Sequence, residues 1–285
     1  MSTWNAPGER EVEEIEFVEY ATGRPKEFGA ALEAMGFRAV AHHRSRDVVL
    51  YRQGSINVII NADARTVRAE HLRDSDVVLK AIGVRVPDAG LAYTRALECG
   101  AKTFNGRTGP MELNIPGVHG PGGAVLFLLD RRAGVAFYEV DFLPLPGASF
   151  DVPAVGGLHF FGVVQYILSG DSQRWIEYYQ NLLGFTPLPP GTAFGVMPTG
   201  TIMKSRCERF FLQLIEPPPG AEDADWLEGF NRIGLGAPDV VSTVKELELR
   251  GIRFVDPAML GDPEQGALTR MLVGDTQFEL VHHAE

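Results

Sequence analysis

The amino-acid sequence predicts an α+β fold of two tandem domains, each made of paired βαβββ units whose open sheets curl into half-barrels. Three observations lead to this prediction. Strand patterns alternate with amphipathic helix patterns, long segments recur at a nearly constant offset, and a Pro- and Gly-rich segment joins the two halves. We expect the domains at residues 12–142 and 156–285, with the joining segment between them.

The recurring segments are clearest where a strand leads into a helix that begins at a Pro-Asp pair. The segment from Ala81 aligns with the segment from Arg232 at an offset of 151 (232 − 81). A later strand in each half aligns at an offset of 152, and the first strands align at 143, which sets Glu16 opposite His159. Elements that recur in the same order predict an internal duplication.

The first half contains strands with alternating apolar residues and helices with apolar residues three or four positions apart. Gly36 and Gly100 end two helices, Gly54 marks a hairpin, and Pro87-Asp88 starts a helix. The predicted strands are 14–20, 46–53, 55–61, 80–86, 111–116 and 124–130, and the predicted helices are 26–35, 65–75 and 89–99.

The second half follows the same course. Trp175, Tyr178, Tyr179 and Leu182 lie at helical spacing, and Gly184 follows as a stop signal. The predicted strands are 157–166, 192–203, 208–215, 232–237, 268–273 and 275–282, and the predicted helices are 172–183 and 239–250.

The composition is that of an acidic globular protein, with 45% apolar residues, 22% charged residues and a formal net charge of −11. An acidic chain is a poor partner for nucleic acid or an anionic membrane. No apolar run approaches the roughly 20 residues that span a bilayer, and residues 1–11 lack the apolar stretch of a signal peptide. Cys99 and Cys207 belong to no paired motif, which indicates a reducing compartment. We therefore expect a cytoplasmic protein, and leave homo-oligomerisation open.

Two residues at the ends of the second half suggest chemistry. In the strand at 157–166, alternation places His159, Phe161, Val163 and Gln165 on one face. The last strand carries Glu279 where a core favours an apolar residue. A histidine and a glutamate on neighbouring inward faces are two members of the His/His/carboxylate triad that binds non-haem iron. The alternative is that His159 is a hydrogen-bonded core residue.

Several stretches of the first half carry a resemblance to a known family: residues 15–21, 35–37, 43–57, 108–116, 130–131 and 138–142. In these stretches the chain resembles the N-terminal domain of bacterial 4-hydroxyphenylpyruvate dioxygenases, which belong to the vicinal-oxygen-chelate superfamily. The second half is more distant but keeps the order of elements. The resemblance implies the vicinal-oxygen-chelate fold, with any active site in the C-terminal domain.

The resemblance also implies a metal site that this sequence only partly preserves. In the family, two histidines and one glutamate of the C-terminal domain hold Fe(II), and His159 and Glu279 match two of these ligands. Arg232 stands at the second histidine's position, and a guanidinium only donates hydrogen bonds and stays charged. His283 lies four residues beyond Glu279, about 13 Å along a strand. We therefore do not expect His283 to replace the missing second histidine.

Three functions therefore remain open. In the first, Fe(II) or another divalent metal on His159 and Glu279 acts on a small 2-oxo or aromatic acid. In the second, the protein binds no metal, Arg232 approaches Glu279, and the guanidinium holds a small acidic ligand. In the third, the chain is a scaffold that acts through protein contacts. Strand parity and the aligned halves predict that the ligand is lined by Phe161, Gln213, Arg232, Arg270 and Gln277.

Overall fold

The computed structural model of the chain describes residues 12–69, 76–106, 108–109, 112–131, 137–192, 195–196, 200–220 and 226–284. Within these ranges, two open mixed sheets and a few helices build the protein, which confirms the predicted α+β class. No helix in the described ranges combines the length and the apolar character needed to cross a bilayer.

The first sheet takes its strands from residues 14–144. Its strands are β1 (Glu14–Thr22), β2 (Arg38–His43), β3 (Val48–Gln53), β4 (Ile56–Asn61), β5 (Val77–Arg85), β6 (Lys102–Thr103), β7 (Gly117–His119), β8 (Val125–Leu129) and β9 (Phe142–Pro144). They lie in the order β6-β7-β8-β5-β1-β4-β3-β2-β9. The helices of this half are α1 (Pro25–Ala34), α2 (Ala64–Ala69), α3 (Ala89–Glu98) and α4 (Phe137–Asp141).

The second sheet takes its strands from residues 159–282. Its strands are β10 (His159–Tyr166), β11 (Thr186–Pro187), β12 (Thr201–Lys204), β13 (Phe211–Ile215), β14 (Gly229–Ala237), β15 (Gly266–Leu268) and β16 (Phe278–His282). They lie in the order β11-β12-β13-β10-β14-β16-β15. The helices are α5 (Ser172–Leu183) and α6 (Val240–Leu249).

The Pro-Asp helix starts form as predicted. Asp88 accepts a hydrogen bond from the Leu91 amide at 2.8 Å, and Asp239 accepts one from the Ser242 amide at 2.8 Å. Both aspartates therefore satisfy an amide that the first turn of a helix leaves unpaired. Gly184 ends α5 with φ of 70°, a left-handed conformation that glycine adopts without strain.

Some predicted elements are shorter in the structure or absent from it. Residue 111 lies outside the described residues, and 112–116 form no strand: the Leu113 amide donates to the Asp141 carboxylate at 3.0 Å, and the Glu112 amide donates to the Gly109 carbonyl at 3.2 Å. The strand predicted at 268–273 stops at Leu268, since the Leu272 amide donates to the Thr276 carbonyl in a turn. Residues 70–75 of one predicted helix, and 193–194 and 197–199 of one predicted strand, lie outside the described residues.

The two sheets repeat one pairing register. Phe17 of β1 pairs with Gly83 of β5, and Gly162 of β10 pairs with Gly234 of β14. The offset between β5 and β14 is therefore 151 (234 − 83), as predicted, and the offset between β1 and β10 is 145 (162 − 17). The duplication itself stays a prediction.

The offset of 145 corrects the alignment of the first strands. An offset of 143 set Glu16 opposite His159, but the shared register sets Glu14 there (159 − 14 = 145). Each strand also carries one extra residue within its antiparallel pairing, Glu16 in β1 and Phe161 in β10, and these two residues are again 145 apart.

The bulge at Phe161 also changes which face the later residues of β10 occupy. His159 and Phe161 both contact the ring of His283, so these two share a face as predicted. Val163 instead packs into the main core, and Gln165 accepts a hydrogen bond from Tyr179 of α5 at 2.6 Å. A bulge resets the alternation of side chains, so the prediction of one common face fails beyond it.

The main hydrophobic core is shared by both halves of the chain. Tyr20 of β1 and Phe278 of β16 lie edge to face with ring centroids 6.3 Å apart, and Thr276 donates to the Val77 carbonyl at 3.3 Å. Each sheet also carries a smaller separate cluster, one containing Phe17 and the other containing Phe161. Those smaller clusters are where the cavities described below lie.

Candidate functional site

A buried ion pair joins two neighbouring strands of the second sheet, β14 and β16. Nε of Arg232 donates to Oε2 of Glu279 at 2.8 Å, and both side chains are 3% exposed. The strands fix this geometry, because β14 and β16 run parallel with Gly234 in register with Glu279, two residues from Arg232. The expected approach of Arg232 to Glu279 is therefore present in the structure.

The second oxygen of Glu279 is also engaged. Oε1 accepts a hydrogen bond from the Val196 amide at 3.0 Å. Gly195 allows this contact, because a Cβ at that position would lie 2.0 Å from Oε1. Both carboxylate oxygens thus have donors from the protein, and the charge is compensated inside the fold.

The rest of the Arg232 guanidinium is only partly satisfied. Nη1 donates to Oδ1 of Asn231 at 3.0 Å, and Asn231 is an extra residue where the pairing of β10 and β14 shifts. Nη2 is buried and has no acceptor among the described residues. A buried donor without a partner costs about 1–3 kcal/mol, so this atom can donate a hydrogen bond to a ligand or water oxygen.

His159 is held by two hydrogen bonds. Nδ1 lies 3.2 Å from the Gly157 carbonyl, and Nε2 lies 2.9 Å from Nδ1 of His283. A carbonyl only accepts, so the neutral ring of His159 carries its proton on Nδ1 and accepts at Nε2. The Nε2 end of the ring lies against Gly236, where a Cβ would come within 2.2 Å of Nε2.

Aromatic side chains fill the space beside the ion pair. Phe161 stacks on Phe211 with ring centroids 4.5 Å apart, and His283 contacts both rings edge-on. The cavity left here, which we call the C-terminal cavity, has a volume of about 30 Å³ and is lined in part by Phe161, Gln213 and Glu279. That is room for a water molecule or two, far below the roughly 300 Å³ of an ordinary ligand pocket.

The structure brings only some of the predicted ligand-binding residues together. Phe161 and Gln213 line the C-terminal cavity, and Arg232 forms an ion pair with Glu279, which also lines it. Arg270 is exposed and donates to the Phe254 carbonyl at 3.1 Å. Gln277 donates to the Thr269 carbonyl at 2.8 Å. Neither of the last two side chains lines the cavity, and their role in ligand binding stays a prediction.

His283 is the site residue that sequence reasoning missed. Its distance from Glu279 along β16 made it seem remote, yet its ring lies 5.2 Å from that of His159. The register explains the contact: His159 pairs with Gly236, and Gly236 pairs with Val281, midway between Glu279 and His283. Counting positions across three strands, rather than along one, would have found it.

The residues present do not fit the iron that the family resemblance implies. His159 uses both ring nitrogens, Glu279 uses both oxygens, and Arg232 offers donors only. In the described ranges, no three side chains of His, Cys, Asp or Glu cluster closely enough to hold a metal ion. The guanidinium also adds positive charge where a cation would sit.

Comparison with known proteins identifies the relatives of this chain. Residues 5–143 match the family model "Hydroxyphenylpyruvate dioxygenase, HPPD, N-terminal". Over 255 residues the chain is 32% identical to 4-hydroxyphenylpyruvate dioxygenase from Pseudomonas sp. (strain P.J. 874), covering 85% of this chain and 70% of that one.

Solved structures support the fold. A mutant of 4-hydroxymandelate synthase from Streptomyces coelicolor superposes with a TM-score of 0.75 at 15% identity, over 96% of this chain and 95% of that one. A xylose isomerase-like TIM barrel/4-hydroxyphenylpyruvate dioxygenase fusion protein gives 0.74 at 22% identity, over 100% of this chain and 52% of that one. The predicted vicinal-oxygen-chelate fold is thereby confirmed, and the chain belongs to the 4-hydroxyphenylpyruvate dioxygenase family.

Proposed function

We propose that this chain is a metal-independent member of its family, which binds a small organic acid at Arg232 instead of using Fe(II) on His159 and Glu279. The observation that carries the proposal is the Arg232–Glu279 ion pair, 2.8 Å long and 3% exposed on both sides. The pair occupies the position at which the family resemblance predicts the metal.

Electrostatics disfavour a metal beside this pair. The repulsion between a guanidinium and a divalent cation about 4 Å apart is several kcal/mol even at an effective dielectric constant of about 20. A metal would also have to take Glu279 from Arg232 and Val196, and His159 from His283. Leaving a buried guanidinium without its carboxylate costs about 3–5 kcal/mol. These costs add, so tight metal binding is not expected.

The same guanidinium is suited to an acid. Glu279 occupies only Nε, and Nη2 has no acceptor among the described residues. An arginine can present further parallel N–H groups to a carboxylate, which makes it a good receptor for such ligands. The C-terminal cavity of about 30 Å³ is too small for an aromatic acid as it stands. Binding of anything larger than a carboxylate group therefore requires the Phe161 and Phe211 rings to move.

A second candidate function is favoured by family membership. The Pseudomonas relative is named for its action on 4-hydroxyphenylpyruvate, an aromatic 2-oxo acid. Dioxygenation of such an acid with Fe(II) on His159 and Glu279 requires Arg232 to leave its ion pair. A purely structural role as a protein scaffold requires neither metal nor acid.

Acid binding can be tested in the presence of a metal chelator. Thermal shift and calorimetry can screen formate, acetate, benzoate and 4-hydroxyphenylpyruvate against the native protein with EDTA present. We expect at least one of these acids to bind. The matched control is Arg232→Met combined with Glu279→Met, because replacing a whole buried pair by apolar groups is often tolerated. This double variant should fold and lose the binding. Oxygen uptake that requires added Fe(II) and a 2-oxo acid, without acid binding in EDTA, would support dioxygenation instead.

A further inference from the structure

The first sheet encloses a larger cavity than the second. This N-terminal cavity has a volume of about 160 Å³, compared with about 30 Å³ for the C-terminal cavity. The register explains part of the difference, because Phe127 and Ala81 stand where Glu279 and Arg232 stand in the second sheet (279 − 127 = 152; 232 − 81 = 151). The ion pair that occupies the second sheet is therefore missing from the first.

One wall of the N-terminal cavity is aromatic. The rings of Phe17 and Phe137 stack at 5.5 Å, Phe17 lies 6.0 Å from Phe127, and Phe104 meets Phe127 edge-on at 5.4 Å. All four rings line the cavity. A cavity of roughly 150 Å³ lined by apolar side chains accommodates a molecule the size of benzene. The wall and the volume together suit one aromatic ring.

The cavity also has polar lining residues, which internal hydrogen bonds largely fix. Asn61 donates to Glu19 at 2.8 Å, and Asp141 accepts from the Leu113 amide at 3.0 Å. Nε of Arg46 donates to Glu112 at 2.9 Å, which holds the pKa of that carboxyl at about 2. The polar groups are thus positioned before any ligand arrives, and a ligand loses little free energy in ordering them.

The charges among the described lining residues disfavour an acidic ligand. Of these residues, Glu19, Glu112 and Asp141 carry carboxylates, and Arg46, which is paired with Glu112, carries a positive charge. A ligand carboxylate would meet like charges here, whereas a hydroxyl group could donate to a carboxylate without repulsion. The N-terminal cavity therefore disfavours the acidic ligand that Arg232 favours.

His43 supplies a hydrogen-bond donor beside the carboxylates. Its Nδ1 accepts from the Ser45 amide at 3.2 Å, and burial lowers the pKa of the ring, which favours the neutral form at pH 7. The proton of the neutral ring is then on Nε2. Within the described residues, Nε2 of His43 has no hydrogen-bond partner. A ligand oxygen can accept from this atom.

We propose that the N-terminal cavity is a second ligand site, which takes a neutral single-ring aromatic molecule with a phenolic hydroxyl. The ring packs against Phe17 and Phe127. The hydroxyl oxygen accepts from Nε2 of His43, and its proton is donated to a neighbouring carboxylate, Asp141 or Glu19. This site does not rest on the acid binding proposed for Arg232.

The test compares three ligands of similar size by protein-detected NMR titration of the native chain: phenol, toluene and benzoate. Phenol should bind the native chain at least tenfold more tightly than toluene, which lacks the hydroxyl. In the Arg232→Met/Glu279→Met variant, which lacks the proposed acid site, phenol should bind at least tenfold more tightly than benzoate, which adds a negative charge. His43→Phe should reduce the affinity for phenol at least tenfold and leave that for toluene within about twofold. The Arg232→Met/Glu279→Met variant should bind phenol as the native protein does, which separates this site from the acid site.

Either of two results overturns the proposal. One is that benzoate binds the Arg232→Met/Glu279→Met variant as tightly as phenol does, because that variant lacks the proposed acid site and the N-terminal cavity would then not discriminate against negative charge. The other is that phenol affinity is unchanged in both His43→Phe and Ile59→Trp, where the indole is expected to fill the cavity that Ile59 lines. If Ile59→Trp does not fold, His43→Phe alone decides, since His43 is only half-buried at the cavity edge.

Discussion

Arg232 and Glu279 form an ion pair between two neighbouring parallel strands, with Nε and Oε2 2.8 Å apart and each side chain 3% exposed. The pair lies where the family resemblance predicts a metal. Substitutions at this site are therefore expected to change the stability of the second sheet. Removing one partner leaves the other charged and buried, which is far more costly than removing both.

The first prediction concerns this asymmetry. Arg232→Met and Glu279→Met should each lower the free energy of unfolding by about 3–5 kcal/mol, whereas the double variant should lie within about 2 kcal/mol of the native protein. Denaturant unfolding of the four proteins measures the cycle. Additive losses in the double variant would show that the two side chains do not act as a pair.

The second prediction concerns the position of the His159 ring. A Cβ at Gly236 would lie 2.2 Å from Nε2 of His159, so Gly236→Ala should displace the ring from His283 and cost about 1–3 kcal/mol. Gly234→Ala is the matched control on the same strand, because its Cβ would meet Phe161 at an ordinary 3.4 Å. Thermal unfolding of the two variants should differ clearly. Equal losses would mean that the backbone of β14, and not the histidine contact, is responsible.

The third prediction concerns two buried tyrosines with different hydroxyl environments. The Tyr20 hydroxyl has no partner in the described part of the chain, and the Tyr179 hydroxyl donates to Gln165 at 2.6 Å. Tyr20→Phe should leave stability unchanged or raise it by up to about 1–2 kcal/mol, whereas Tyr179→Phe should lower it by about 1 kcal/mol. Both rings are 1% exposed, so burial is matched. A loss in Tyr20→Phe as large as that in Tyr179→Phe would contradict the assignment.

The sequence predicted the fold more fully than the site. Capping by Asp88 and Asp239 and the offset of 151 between Ala81 and Arg232 depend on local signals, and these were correct. The meeting of Arg232 with Glu279 followed from the family resemblance, which supplied the register of two strands. The bulge at Phe161 leaves no signal that alternation can detect, so the face of Val163 was wrong.

Two features required the tertiary structure. His283 reaches His159 across three strands, because Gly236 pairs with His159 on one side and with Val281, two residues before His283, on the other. Spacing along a single strand cannot show this contact. The N-terminal cavity is lined by residues far apart in sequence, such as His43, Phe127 and Asp141. None of these forms a motif with its sequence neighbours, and their shared chemistry exists only in the folded sheet.

We propose that Arg232 prevents metal binding at His159 and Glu279. Restoring a histidine, Arg232→His, removes the cation and adds an imidazole ligand, whereas Arg232→Gln removes the cation alone and serves as the control. Far-ultraviolet circular dichroism should first establish that both variants keep the native secondary structure.

Anaerobic titration with Fe(II) then measures the metal affinity of the native protein and of both variants. The native protein should bind Fe(II) weakly, with a dissociation constant at least tenfold higher than that of Arg232→His, and Arg232→Gln should lie between them. Tight stoichiometric binding by the native protein, with no gain in Arg232→His, would contradict the account and favour Fe(II)-dependent dioxygenation.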